Sequence, residues 1–279
     1  MTSSEQTPDL APDLTPERIA ELAAGLDEAA RTKVPMRQLS RQHEGMTIAQ
    51  AYAVQLAWRD LKLAQGRRVT ARKIGLTSVT MQRAQEVDEP DRGIYFDDMM
   101  FASGDTIAFD RFIKPRVEVE LAFELARPLR GPGVTLTDVL DATAWIIPAV
   151  EIVDSRLQMK DPETGGSRRI ADAIGDNAAN AGMILGGTPV RPDAVDLRWV
   201  GALLYINGVI IDSGVSAAVM NHPAAGIAWL ANALAAHGEH LEAGQPILAG
   251  AFTRSNYVER GDTITADYGR LGVVTAYFA

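Results

Sequence analysis

Lys114-Pro115-Arg116-Val117-Glu118-Val119-Glu120-Leu121-Ala122-Phe123 is the stretch on which the fold of this chain turns. Side chains alternate faces along a strand, so Val117, Val119, Leu121 and Phe123 share one face. Glu118 and Glu120 share the other, about 7 Å apart along the strand. From Val117 to Leu125 the run is apolar apart from its acids, which marks a largely buried strand. Like charges on a buried face repel each other and lose hydration unless a cation lies between them. A second apolar stretch, Trp145 to Val153, carries Glu151 in its interior. Glu118, Glu120 and Glu151 are therefore candidate ligands of one hard cation such as Mg2+, which prefers carboxylate oxygen. The competing reading is an exposed sheet face carrying salt bridges.

The rest of the composition narrows the function classes. A chain of 279 residues buries a real core as one large domain or two modest ones. Its net charge of -9 argues against nucleic acid and anionic membranes as partners. It does not exclude anionic substrates, because a bound metal and local arginines set the field of a pocket. With no cysteine, disulfides, thiolate metal sites and a cysteine nucleophile are excluded. The start of the chain, Met1 to Leu14, is polar and lacks a basic segment followed by an apolar one. No apolar run approaches the ~18 residues of a membrane span. A cytoplasmic protein is the expectation.

Residues 1–14 read as a disordered leader. Thr15 before Pro16 signals a helix start, and Ile19, Leu22, Ala23, Leu26 and Ala30 keep helical spacing. Thr47 and Gln50 form a capping-box pattern ahead of a helix that stops near Gly66. Residues 15–68 are thus a helical N-terminal region, and 69–279 a domain built from short strands that carries the candidate metal ligands. Val69 to Ile74 is the first strand, Ser78 caps a short helix from Val79, and 88–93 is a loop by its Asp, Pro and Gly. A helix is expected over Thr135 to Ala144, and another from Pro223 to Ala236. The polar stretch 161–166 is a loop of the kind that covers sites. Asn207-Gly208 between two apolar runs signals a hairpin. Many strands with few helices between them give an α+β class.

Other chemistry is sparse. There is no Gly-x-Ser-x-Gly elbow and no phosphate-cradling glycine loop. Of the four histidines, His237 and His240 read as a solvated helix end. Lys73, flanked by Ile74, Gly75 and Leu76, is either a desolvated lysine suited to proton transfer or a snorkelling structural one. Asp176-Asn177 is either a polar cluster at a pocket or a turn.

Lys73-Ile74-Gly75-Leu76-Thr77-Ser78, Glu89-Pro90-Asp91, Pro115 to Glu120, Pro148 to Arg156, Asp176 to Asn180 and Asn221-His222-Pro223 occur here in order. Together they resemble the hydratases and decarboxylases of meta-cleavage pathways, which share the fumarylacetoacetate-hydrolase fold. The resemblance runs from about residue 47 to the end. It implies a twisted β-roll or sandwich with flanking helices and a homo-oligomer. It implies Mg2+ or Mn2+ held by Glu118, Glu120 and Glu151, with Lys73 and Asp91 as the proton-transfer pair. It also implies that the Lys73 ammonium keeps Asp91 ionised. Leu76, Ser78, Thr253 and Arg254 are the implied substrate contacts, Arg254 taking the far carboxylate, with Arg72, Arg168 and Arg169 as rivals for that role. The implied reaction is addition of water to a small seven-carbon 2-oxo-alkenedioate. A decarboxylase or C–C hydrolase, a hydratase of the shorter pentadienoate, and an idle partner subunit are the alternatives.

Overall fold

The computed structural model describes residues 14–279. The expected leader lies outside them except for Leu14, which is buried in a core shared by the N-terminal helices and a sheet. Three helices come first: α1 (Pro16–Thr32), α2 (Leu39–Gln42) and α3 (Ile48–Ala64). Thr15 caps α1 by accepting from the Arg18 amide, and Thr47 with Gln50 closes the capping box of α3.

Next come β1 (Val69–Gly75), α4 (Val79–Ala84), β2 (Asp91–Phe96), β3 (Met100–Ala102) and β4 (Thr106–Ile107). The acid-bearing strand is β5 (Arg116–Leu125), followed by α5 (Leu136–Ala142), β6 (Thr143–Val153), α6 (Ile170–Gly175) and β7 (Asn180–Leu185). The C-terminal part holds β8 (Gly201–Ile206), β9 (Val209–Val215), α7 (Pro223–Ala235), β10 (Pro246–Leu248), β11 (Asn256–Tyr257), β12 (Thr263–Asp267) and β13 (Val273–Phe278). Asn207 and Gly208 both have positive φ, 52° and 77°, as the tight hairpin turn requires. Boundaries differ from the sequence reading in places: Asp91, Arg92 and Gly93, expected in the 88–93 loop, open β2 with Asp91 opposite Gly75, and the helix expected to reach Ala144 ends at Ala142 where β6 begins. The β-prone run Ile94-Tyr95-Phe96 pulls pairing back to the residue after Pro90.

The strands form two sheets. The larger runs β2-β1-β10-β5-β6-β7-β3 with β11 added to β5, and the smaller runs β4-β13-β12-β8-β9. Val117, Val119, Leu121 and Phe123 of β5 face a core shared with Leu204, Ile264, Ala266 and Val274 of the second sheet and Ile227 and Leu230 of α7. The opposite face of the large sheet meets α1 and α3 through Leu22, Leu26, Val54, Trp58, Ala71, Ala122, Ala149 and Leu248. This is an α+β sandwich flanked by helices. Sheet-to-sheet contact is tightened by Tyr268, whose single hydroxyl hydrogen is shared between the carbonyls of Ala149 (2.5 Å) and Glu120 (2.9 Å). Glu118 and Glu120 thus lie on the helix-covered face, where small side chains at Ala71, Ala122 and Ala149 leave room.

Candidate active site

Antiparallel pairing sets Glu118 opposite Glu151, and Glu120 opposite Ala149. The strand alternation that put Glu118 and Glu120 on one face therefore delivers the third acid to the same place. Carboxylate oxygens from the three lie within 4.8 Å of one another. Glu120 and Glu151 are buried, and Glu118 is partly so. Burial pushes the Glu118 carboxyl up, and the charge of Glu151 adds to the rise. Glu120 is pushed well above the usual carboxylate range by burial and then by Glu151. Two of the three acids have ordering contacts. Glu120 accepts from the Gly250 amide at 2.8 Å, and Glu151 accepts from the Tyr95 hydroxyl at 2.7 Å and from Lys73 Nζ at 3.3 Å.

Three carboxylates, two of them buried, face one lysine across this cluster, so negative charge is in excess. The all-oxygen donor set and the surplus charge fit a hard divalent cation. Lys73 itself is buried, and burial alone would lower its pKa. The carboxylates of Glu151, Asp91, Glu118 and Glu120 outweigh that and hold it above the ordinary lysine range.

Asp91 approaches Lys73 from the neighbouring strand. It is buried, and its Oδ1 has no hydrogen-bond partner. Burial pushes its carboxyl up; Lys73 pulls it down without winning, and Glu151 adds to the upward push. The expected ionising effect of Lys73 is present but is the weaker influence. Gly75 makes this approach possible, because a Cβ there would lie 2.2 Å from Asp91 Oδ1 and 3.4 Å from Lys73 Nζ. Gly75→Ala should therefore displace the Asp91 carboxylate and cost about 1–3 kcal/mol of stability. Turnover should fall far more than folding does, and comparing rate with melting temperature checks this.

The remaining expected contacts fall around this pair of strands. Leu76 follows β1 with φ of 53°, and its carbonyl accepts from Gln82. Ser78 spends its hydroxyl as the cap of α4, accepting from the Met81 amide at 3.2 Å. Thr253 Oγ1 accepts from the Val119 amide at 2.9 Å, directly between the two acids of β5. Arg254 is not drawn into the cluster: its side chain is 91% exposed, with Asp212 at 4.0 Å. Asp176 and Asn177 prove to be a buried knot rather than a pocket. Asp176 pairs with Arg156, and the Asn177 side chain exchanges hydrogen bonds with the Ile94 backbone. His240 lies at the surface between Arg130 and Glu242.

Tyr95, Gly250 and Ser255 belong to the surroundings of the cluster and escaped the sequence reading as site residues. Ser255 faces Glu118 and favours its ionised form. Only Tyr95 carried a signal, since a buried tyrosine hydroxyl needs a partner.

Comparison with known proteins gives consistent matches. The family profile of fumarylacetoacetate (FAA) hydrolase C-terminal domains matches residues 64–279. The chain is similar to 2-oxo-hept-4-ene-1,7-dioate hydratase of Escherichia coli, with 52% identity over 92% of this chain and 96% of that protein. It is 34% identical to 4-oxalocrotonate decarboxylase of Pseudomonas sp. (strain CF600), covering 95% and 98% of the two chains. The solved structure of 4-oxalocrotonate decarboxylase from Pseudomonas putida G7, complexed with magnesium and adipate, superposes with a TM-score of 0.90 at 34% identity, over 96% of this chain and 99% of that one. By profile, sequence and architecture together, the chain belongs to the fumarylacetoacetate hydrolase family.

Proposed function

We propose that this protein is a divalent-metal-dependent hydro-lyase that adds water to 2-oxo-hept-4-ene-1,7-dioate, giving 4-hydroxy-2-oxoheptane-1,7-dioate in aromatic catabolism. The observation that carries the reading is the single cluster of Glu118, Glu120, Glu151, Lys73 and Asp91 in a chain 52% identical to a hydratase of that substrate.

Glu118, Glu120 and Glu151 would hold Mg2+ or Mn2+. When bound, that ion withdraws electrons from a 2-oxo acid and stabilises its enolate charge. The chain's own groups do the rest. Tyr95 and Lys73 hold Glu151 in place, and the Gly250 amide holds Glu120. Lys73 and Asp91 divide the proton transfers: C3 loses a proton and C5 gains one as the double bond moves into conjugation with the ketone, and the water attacking C4 loses one as C3 regains one. A carboxyl pushed up by burial is suited to that exchange near neutral pH. Leu76, Ser78 and Thr253 border the reacting end of the substrate.

Two coarser features accompany this reading. No helix among the described residues is long and apolar enough to cross a membrane, and a cytoplasmic setting is part of the proposal. A homo-oligomer is supported by β9, an edge strand of the small sheet that leaves Val209 63%, Ile210 54% and Ile211 39% exposed. A single-subunit mass in sedimentation would remove that part.

The test is product analysis with the C7 dienedioate and Mg2+. Uptake of water with all carbons retained is the expected result. Release of CO2 would move the protein to the decarboxylases, and no turnover would leave it a binding subunit.

A further inference from the structure

We propose that Arg168 is the specificity residue that receives the far carboxylate of the oxo-diacid, a role that rests on the hydratase reading above. It stands at the end of a loop built to present it. Asp161 accepts from the amides of Glu163 and Thr164, and Arg37 of the N-terminal region pins its other oxygen at 2.8 Å. A bridge between Lys160 and Ser167 closes the loop one residue before Arg168.

The Arg168 side chain is only 15% exposed, and its Nε is buried with no hydrogen-bond partner. One terminal nitrogen donates to Ser155 Oγ at 2.8 Å, just past the end of the strand that carries Glu151. The acid nearest to it, Asp176, is 3.9 Å away and is already committed to Arg156. Arg116 is also close enough to add positive charge. Arg168 is therefore a desolvated guanidinium with donors to spare, in a locally cationic corner. Ser155 lies two residues beyond Val153, which ends β6 opposite Arg116, and Val153 and Arg116 are each two residues from Glu151 and Glu118, so that corner adjoins the carboxylate cluster. A chain whose 2-oxo-acid end lies at the glutamates and whose C4 lies by Asp91 has its last carbons left to reach it. A guanidinium fork matches a carboxylate with two parallel hydrogen bonds.

The rivals are placed less well. Arg72 also has a buried, unpartnered Nε, but it alternates to the face of β1 away from Lys73 and is paired with Glu239 at 2.8 Å. Arg169 is exposed, and Arg254 is 91% exposed.

The experiment compares Mg2+-loaded parent, Arg168→Gln, Arg168→Lys and Arg254→Gln. Calorimetry measures binding of 2-oxoheptanedioate and of 2-oxopentanoate, which lacks the second carboxylate. Kinetics measure hydration of the C7 diacid and of 2-hydroxypenta-2,4-dienoate. The parent should prefer the diacid in binding; equal affinities would overturn the proposal without any variant. Arg168→Gln should lose on the order of 10- to 100-fold in diacid affinity and kcat/KM, with the monoacid values within about twofold. Arg168→Lys should recover part of that loss, and Arg254→Gln should leave the diacid preference intact. Equal losses on both ligands would assign Arg168 to the fold or to the common carboxylate and overturn the proposal. So would an Arg254→Gln variant that alone loses the preference. If the parent binds the diacid through Arg168 but adds no water, the reaction assignment fails and the subsite stands.

Discussion

Glu120→Ala should lower hydration by on the order of 10³-fold or more, since it dismantles a site that supplies several kcal/mol to the transition state. The same change should abolish the rise in melting temperature that Mg2+ gives the parent. Such a rise is expected because a ligand bound only by the folded state stabilises it, by about 2.7 kcal/mol at a hundredfold excess over Kd. Chelation with EDTA should reproduce the loss of activity in the parent, and added Mg2+ should restore it. The variant should remain folded. Glu120 sits in a cluster of mutually repelling carboxylates whose burial already disfavours its charge, so the metal-free protein loses a strained group. Its one structural contact that would be lost is the Gly250 amide hydrogen bond. Full activity of the parent in metal-free buffer would sink the metal assignment altogether.

Asp91→Asn is expected to cut kcat by on the order of 10²-fold or more while metal and ligand binding stay close to the parent's. Asparagine keeps the shape that fits against Gly75, so any effect reports on proton transfer rather than packing. Removal of CO2 needs an electron sink and a later protonation of carbon. Addition of water also needs a group to hold or deprotonate the nucleophile, and Asp91 beside Lys73 is placed for that. Its Oδ1 is buried and unpartnered, so one carboxylate oxygen is free for a substrate or a water. A variant that hydrates the dienedioate at the parent rate would reduce Asp91 to the opening residue of β2. Unchanged kcat with a raised KM would instead make it a binding residue.

The carboxylate cluster was legible because a strand has a period of two and acids in an apolar run stand out. Pairing of β5 with β6 needed only that both be strands, and the register then brought Glu151 to Glu118. Caps at Thr15, Thr47 and Ser78 and the Asn207-Gly208 turn were legible for similarly local reasons. What local chemistry does not encode was missed. Tyr95 meets Glu151 across 56 residues, with three strands between their own in the order of the sheet. Strands β3, β4 and β11 are two or three residues long, too short for any periodicity to register. Asn177, Ala178 and Ala179 all adopt positive φ between 53° and 55°, and nothing in two alanines announces this. Arg168 was one of several arginines until the Asp161 turn showed which was desolvated. Only the fold separates it from Arg254.

The place of β10 in the large sheet governs when this protein can fold. That strand pairs in parallel with β1 and antiparallel with β5, so residues 246–248 form the seam between the lysine-bearing and glutamate-bearing strands. As the chain leaves the ribosome, β1 with β2 and β5 with β6 and β7 exist as separate blocks, each with an open edge. The seam arrives late, since the Lys73–Leu248 pairing joins residues 175 apart in the chain. Until then the acids and Lys73 are related by side-chain hydrogen bonds such as those of Asn177 to Ile94 rather than by a continuous sheet, and the apolar faces of α1 and α3 have half a sheet to rest on. Assembly is therefore a late, single event of high contact order, slow and exposed to edge-to-edge aggregation. A chain released just before residue 246 should stay protease-sensitive throughout, its N-terminal helices included.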